Sequence, residues 1–497
     1  MASRRDLFQS YQFLTQRVVS GLVLRESDPL QSPGRRMGGA AFGSVMVAVL
    51  VLAVVGVIGV INPGGNTTWQ SAGAVVVEEE TGTRFVYLPD DDGTMRLHQV
   101  ANFASAALLT GSTEVVSVSS SSLDGVPRGP RLGITGAPDA LPAADDLLGA
   151  PWTLCAAPVS SASGESTPST ALLVGGGIGG GRSLGEDVLL VRDRGTGELQ
   201  LVWRGRHHLV VDEAAVLLAL SLRDVPQVDV GSAWLSGLPA GRALEPQPVA
   251  GRGVPSAAVP GALVGQVGRV GDGESAQWYQ VDLDRVVEIT EVQARILLAD
   301  PLTAQQAYPG GEPTALTLSA VDVTGVDSVE LPEAEPADPP AQVPTAADVA
   351  GSEETVCAGF DDAGDPSGVL VGARVDTTGG VAGPGATTGG TTLADLVVVP
   401  PGRGALVSAR ASAEAPTGAL FLVTDEGRAY PVPSPLEAAA LGYDASTAVP
   451  MPEQLVARIA PGPALSETAA AASARSPDRV AVHSRDHFGS AARRPDR

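Results

Sequence analysis

Residues 419–443, ALFLVTDEGRAYPVPSPLEAAALGY, read as a strand, a polar turn, a second strand, a Pro-rich joint and an Ala/Leu helix. The same order returns three more times. Residues 74–111 read AVVVEEETGTRFVYLPDDDGTMRLHQVANFASAALLTG, and residues 187–220 read DVLLVRDRGTGELQLVWRGRHHLVVDEAAVLLAL. Residues 278–298, WYQVDLDRVVEITEVQARILL, carry a shorter version. Gly82, Gly195, Gly197 and Gly427 fall at turns, where positive φ is often needed. Asp187, Asp193, Asp425 and Glu426 flank the strands on the polar side. One such unit is too small to bury its own apolar face, but copies packed together can. These repeats predict an α+β protein whose elongated main body is built from strand-strand-helix units around a central β-rich domain.

Upstream of the repeats, residues 40–61 read AAFGSVMVAVLVLAVVGVIGVI. As a helix this run is about 33 Å long, which matches the roughly 30 Å hydrocarbon core of a bilayer. No charged residue occurs between Arg36 and Glu78. The preceding segment is longer than a signal-peptide n-region and no A-x-A site follows at once, so an uncleaved transmembrane helix is expected. Arg35 and Arg36 precede the run and the next basic residue is Arg84, an asymmetry that places the N-terminus in the cytoplasm. Residues 5–24 place Leu7, Tyr11, Leu14, Val18 and Leu22 on one helical face. So short a helix needs a partner, either another protein subunit or the membrane surface.

The predicted organisation is a cytoplasmic helical segment over 1–39, the membrane helix over 40–61, and exported repeats one and two with linkers over 62–262. The third repeat and the central β-rich domain occupy 263–418, interrupted by the acidic spacer LPEAEPADPPAQVPTAADVA at 331–350. The last repeat spans 419–465, and a disordered tail is expected over 466–497.

The net charge is −24 and there is no lysine. Residues 1–39 carry six arginines against three acids, so the acidity belongs to the exported part. Such a surface repels phosphate backbones, which excludes nucleic-acid binding. The two cysteines, Cys155 and Cys357, both lie in the exported part, where a disulfide is expected and two packed thiols are the alternative. No Cys/His cluster has zinc spacing, and Asp90, Asp91 and Asp92 lack the ligand pattern of a calcium loop, so no metal and no cofactor are expected.

The nearest thing to a phosphate loop is Gly176–Ser183, GGIGGGRS. Gly176, Gly181 and Ser183 fit the pattern, but Arg182 stands where the loop needs lysine. A Ser/Pro/Thr-rich linker before it and a strand after it do not supply strand-loop-helix context. His207 and His208 are adjacent, so on a strand they point to opposite faces. His98 occupies the matching joint of the first repeat, which favours a structural role. No catalytic constellation assembles from the sequence.

Several blocks are specific enough to carry a resemblance: ETGTRFVYL (80–88), GAPDALPAADDLLGAPWTLCAAP (136–158), ALLVGGG (171–177), FLVTDEGRAYPVPSPLEAAALGY (421–443) and VPMPEQLVARIAPGPALS (449–466). Over nearly its whole length the chain resembles the EccB family, core membrane components of actinobacterial type VII (ESX) secretion systems. The resemblance implies a structural subunit whose exported domain assembles with other EccB copies above an inner-membrane channel. It also implies EccC-like ATPase, EccD-like and EccE-like subunits as partners, with a mycosin-like protease as a further one. It pairs Cys155 with Cys357. ATP hydrolysis has been attributed to the family, so an extracytoplasmic ATPase is an alternative, and a cell-wall-binding adaptor is another.

Overall fold

The structure, a computed structural model, describes residues 3–25, 33–61, 67–70, 73–90, 92–160, 166–176, 178–412 and 415–472. Asp91 and the expected tail from residue 473 onward fall outside the described residues. Two compact units are distinguished.

The first unit comprises Met1–Ala72, Val77–Thr83 and Ser117–Pro127. It contains α1 (Arg4–Leu24) and α2 (Pro33–Ile61). Ser3 and Asp6 close a capping box that satisfies the first free amides of α1. α2 starts ahead of the apolar run and takes in Arg35 and Arg36. Its Gly38–Val57 portion is long and apolar enough to cross a membrane, and every side chain there is exposed.

The second unit comprises Gly73–Val76, Arg84–Val116 and the chain from Arg128 onward. The first repeat runs β1 (Val75–Glu78), β2 (Arg84–Pro89), β3 (Met95–Gln99), α3 (Phe103–Thr110) and β4 (Val115–Val118). Next come β5 (Trp152–Ser160), β6 (Ser166–Leu173) and β7 (Arg182–Ser183). The second repeat is β8 (Leu189–Asp193), β9 (Leu199–Trp203), β10 (Arg206–Leu209), α4 (Glu213–Ala219) and β11 (Val228–Val230), followed by α5 (Ser232–Gly237). The third is β12 (Val267–Val270), β13 (Gln277–Val281), β14 (Arg285–Ile289), α6 (Glu291–Ala299), α7 (Pro301–Ala307), β15 (Leu316–Thr317), α8 (Ala320–Thr324) and β16 (Asp327–Val329). After β17 (Val356–Phe360), β18 (Pro366–Val371), β19 (Val381–Ala382) and β20 (Leu396–Val398) comes the fourth repeat. It consists of β21 (Gly404–Arg410), β22 (Ala419–Thr424), β23 (Arg428–Val432), α9 (Pro435–Ala440) and β24 (Val449–Pro452). The described chain closes with α10 (Glu453–Val456), β25 (Ala460–Pro461) and α11 (Glu467–Ala471).

The strand orders expose a unit larger than the sequence pattern suggested. They are β3-β2-β1-β4, β10-β9-β8-β11, β15-β12-β13-β14-β16 and β24-β21-β22-β23-β25. Each repeat is thus a three-strand meander, then a helix, then a short strand that returns beside the first strand. That return strand is parallel to its neighbour in the second, third and fourth repeats. Asn102, Asp212, Thr290 and Ser434 cap the four repeat helices with their side-chain oxygens. Gly197 and Gly427 adopt positive φ at their hairpins, as these tight reversals require.

The repeats do not bury their faces in chain order. Ala104 and Leu108 of α3 share a core with Leu422, Tyr430 and Leu441 of the fourth repeat. Leu190, Leu201 and Val216 of the second repeat pack with Val292 and Ile296 on α6 of the third. Between these pairs lies a seven-stranded sheet, β19-β20-β6-β5-β17-β18-β7. Its Trp152, Leu154, Leu172 and Phe360 form a core with residues of the second and fourth repeats.

Several readings of the sequence need correction. The central sheet draws β5, β6 and β7 from before residue 263, so it is not confined to 263–418. From Ser166 onward the Ser/Pro/Thr-rich stretch read as a linker is β6: each residue from Ser166 to Leu173 pairs with one of β5, and its Ala171–Leu173 end is buried. The acidic segment 331–350 is tied down: Arg242 bridges Glu335 at 2.8 Å and Asp338 at 3.2 Å, and Ala347 and Val349 are buried. Ser466 opens α11 as its N-cap, so an ordered helix begins where the tail was expected.

Candidate functional site

Cys155 on β5 and Cys357 on β17 form a disulfide across 202 residues of sequence, with Cα atoms 4.0 Å apart. They are directly opposed in antiparallel strands and both are fully buried. The bond therefore staples two neighbouring strands in the middle of the central sheet. Short linear segments gave no hint that β5 belongs to the same sheet as β17.

The glycine-rich loop is zipped onto the sheet. Gly179 and Arg374 exchange backbone hydrogen bonds at 3.1 and 2.9 Å. Arg182 pairs with Val371 as part of β7, and its guanidinium donates to the Asp348 carbonyl. A Cβ at Gly181 would press on Ala373 at 3.1 Å, so the loop backbone lies against protein. Gly176 follows β6, and Ser183 is succeeded by β8 rather than a helix. Among the described residues of the loop, the ring of amides at a helix N-terminus that holds phosphate is not formed. The preceding strand is present, contrary to the sequence reading.

The histidines fall into a repeated joint. His98 on β3 and His208 on β10 are buried, and each Nδ1 donates to a carbonyl of the passing chain: Pro130 at 3.0 Å and Arg242 at 2.8 Å. A carbonyl only accepts, so both rings carry their proton on Nδ1. Gly129 and Gly241, one residue before those carbonyls, lie against the rings so closely that an added Cβ would overlap the imidazole. The fourth repeat has the same arrangement with Tyr430 on β23 and Gly462. The backbone register agrees: Gly129, Gly241 and Gly462 donate to the carbonyls of Leu97, His207 and Ala429. The sequence reading missed Tyr430 and all three glycines. Its available signal was a glycine recurring at a similar interval after each ring residue. Burial pushes the His208 pKa down, and His207 is pushed down to about 4 by burial and by His208.

Asp90 and Asp92 are engaged by Arg96 at 3.0 and 2.8 Å. Among the described residues no group of three His, Cys, Asp or Glu side chains is arranged to hold a metal ion. On α1, Leu7, Tyr11, Leu14, Val18 and Leu22 are all exposed, and Phe8, Phe13 and Val19 are exposed as well, so its apolar surface is broader than the single stripe read from sequence.

These features define a protein with a membrane-spanning class of helix and a main body of small α+β repeats around a disulfide-stapled sheet. A family profile described as type VII secretion system ESX-1, transport TM domain B, matches residues 1–477. The chain belongs to this EccB family. It is 28% identical to the ESX-3 secretion system ATPase EccB3 of Mycolicibacterium smegmatis over 93% of this chain and 89% of the relative. It is also 28% identical to the ESX-1 secretion system ATPase EccB1 of that species over 63% of this chain. That second match spans 64% of EccB1, just under two thirds of its length. The fold is shared with a chain of the intact ESX-5 inner membrane complex, with TM-score 0.58 and 23% identity over 99% of this chain and 98% of that one. A chain of the EccB3 dimer from the ESX-3 core complex gives TM-score 0.58 and 23% identity over 80% of this chain and 100% of that one.

Proposed function

We propose that this protein is a structural subunit of a type VII secretion complex, anchored in the inner membrane by α2 with its repeats outside the cytoplasm. The observation that carries the reading is the division of labour within the chain. Exposed apolar residues are concentrated on α1 and α2, while the repeats and central sheet bury their own cores and form no catalytic constellation among the described residues. α1 is the docking element for cytoplasmic portions of EccC-like, EccD-like or EccE-like subunits, and the repeats associate with further EccB copies and a mycosin-like protease. Arg35 and Arg36 hold the N-terminus inside.

Two relatives carry ATPase in their names. In this chain the one glycine-rich candidate is strand-paired and lacks the phosphate-binding lysine, which favours the scaffold. A cell-wall-binding adaptor is the remaining alternative.

Affinity purification of the full chain in detergent, followed by mass spectrometry, tests the scaffold reading: ESX membrane subunits are expected to co-purify. Asp substitutions at Leu7, Leu14 and Val18 are expected to release those subunits while the chain stays in the membrane. Unchanged co-purification counts against α1 as the docking element. A reporter fused after residue 70 is expected to be active only if it requires export. ATP turnover abolished by Arg182→Ala would move the assignment to the enzyme.

A further inference from the structure

We infer that the cleft between the second repeat, the acidic segment and the fourth repeat is a binding site for a carboxylate-bearing peptide segment. The cleft encloses about 810 Å³, within the usual range for ligand sites. Its walls include Leu238, Pro239, Pro336, Pro366, Met451 and Pro452, a surface suited to an extended chain with small aliphatic side chains.

Two cations line this space. Arg206 stands at the start of β10 and Arg410 at the end of β21. In an acidic protein, arginines find carboxylates readily, and most half-buried ones here do. Arg84, Arg96, Arg192, Arg252, Arg269 and Arg295 each form an ion pair. Among the described residues, Arg206 and Arg410 are the half-buried arginines with no hydrogen-bond, ion-pair or ring partner. They lie on different repeats, far apart in sequence, yet they line the same cleft. The Nε of Arg410 is buried without an acceptor. A buried guanidinium donor without a partner costs free energy, and an incoming carboxylate removes that cost.

The cleft's own acids do not fill this role. Glu335 is held by Arg242 at 2.8 Å, and Asp365 is exposed and makes no ion pair within 4.0 Å. Nucleotide is the less suitable ligand. Among the described residues the lining has no Phe, Tyr or Trp on which a base could stack, and its imidazole, His207, is 3.2 Å from Gln200 Oε1. The many apolar walls favour a peptide over a bare inorganic anion. The assignment does not depend on which subunits the chain assembles with.

The test uses the detergent-solubilised full chain and an N-acetylated tetrapeptide of sequence EAPE carrying its dye on a C-terminal amide, with the counterpart QAPQ, blocked in the same way, which has no carboxylate. Fluorescence anisotropy is expected to show saturable binding of EAPE that weakens with salt, and binding of QAPQ at least ten-fold weaker. Arg206→Gln and Arg410→Gln are each expected to weaken EAPE binding at least ten-fold with the melting temperature unchanged. Arg410→Lys, which keeps the charge, should retain part of the affinity. If a glutamine variant melts early, the EAPE/QAPQ contrast on the unaltered chain still decides. Equal binding of the two peptides, no saturable binding, or full affinity in both glutamine variants overturns the proposal. Displacement of EAPE by ATP at lower concentration than by unlabelled EAPE also overturns it, in favour of a nucleotide site.

Discussion

Gly241 lies against the edge of the His208 imidazole with no room for a methyl group between them. The ring is pinned to the same passing segment by its hydrogen bond to the next residue's carbonyl, Arg242 at 2.8 Å. Neither partner can retreat without breaking that bond or the Gly241 amide's bond to the His207 carbonyl at 2.8 Å. Gly241→Ala is therefore expected to destabilise the second unit by about 1–3 kcal/mol, the range for forced overpacking. In the double variant with His208→Ala, part of the loss should be recovered, because the obstructing ring is gone. Calorimetric melting of the four-member cycle checks this; additive losses would mean that the two residues do not meet.

The joint also shows where sequence reading reaches and where it stops. The repeat pattern, the membrane run and the α+β class were legible because each is a local signal: apolar runs, turn glycines and a long uncharged stretch. The equivalence of His98 and His208 was legible from their matching place in two repeats. Tyr430 was not, because nothing local relates a tyrosine to a histidine when what they share is a glycine on another segment. The return strands β4, β11, β15 and β24 span two to four residues and carry no periodicity of their own. The membership of β5 and β17 in one sheet is a long-range pairing with no local trace. The cleft residues Arg206 and Arg410 were invisible for the same reason.

The Cys155–Cys357 bond should be protected kinetically by its burial. Both residues are fully buried in the central sheet, so a reductant reaches the sulfurs only when the sheet opens. Native chain treated with a phosphine reductant is expected to keep the bond, whereas the same treatment in denaturant frees both thiols for alkylation. Replacing both cysteines with alanine is expected to cost about 2–5 kcal/mol, with the 202-residue separation placing the chain-entropy limit near about 5 kcal/mol. Two thiols alkylated in denaturant without reductant would refute the bond itself.

Stability should fall with mild acid, and His207 should be a main reason. Its folded pKa is lowered to about 4 by burial and by His208, whose own pKa is lowered chiefly by burial. An unfolded histidine titrates near about 6.5, so between that pH and about 4 the unfolded chain holds more protons than the folded one. Full stability is thus expected above pH ~6.5, declining as pH drops, by at most about 1.4 kcal/mol per unit for each such group. His207→Gln should flatten the decline between pH 6.5 and 4.5 while leaving the melting temperature at pH 8 nearly unchanged. An identical slope in the variant and the parent would remove His207 from the explanation.

Arg252 and Asp300 form an enclosed ion pair in the second unit, 2.7 Å apart, with side chains 9% and 8% exposed. Asp300 has a second duty at the α6–α7 corner. It ends α6 and caps α7, accepting from the amides of Leu302 and Thr303 and from the Thr303 hydroxyl. The two single losses should therefore differ. Arg252→Met removes the cation but leaves the carboxylate its three cap donors, so it is expected to cost about 3 kcal/mol, the low end for breaking a buried pair. Asp300→Ala removes the cap and strands a buried guanidinium whose Nε already lacks an acceptor, so it should cost more. Combining the two substitutions should cost less than their sum, because no buried charge then remains unpaired. Denaturant unfolding of the three variants measures these differences. A strictly additive double variant, or an Asp300→Ala loss smaller than that of Arg252→Met, would show that the cap and the charge do not act through the same carboxylate.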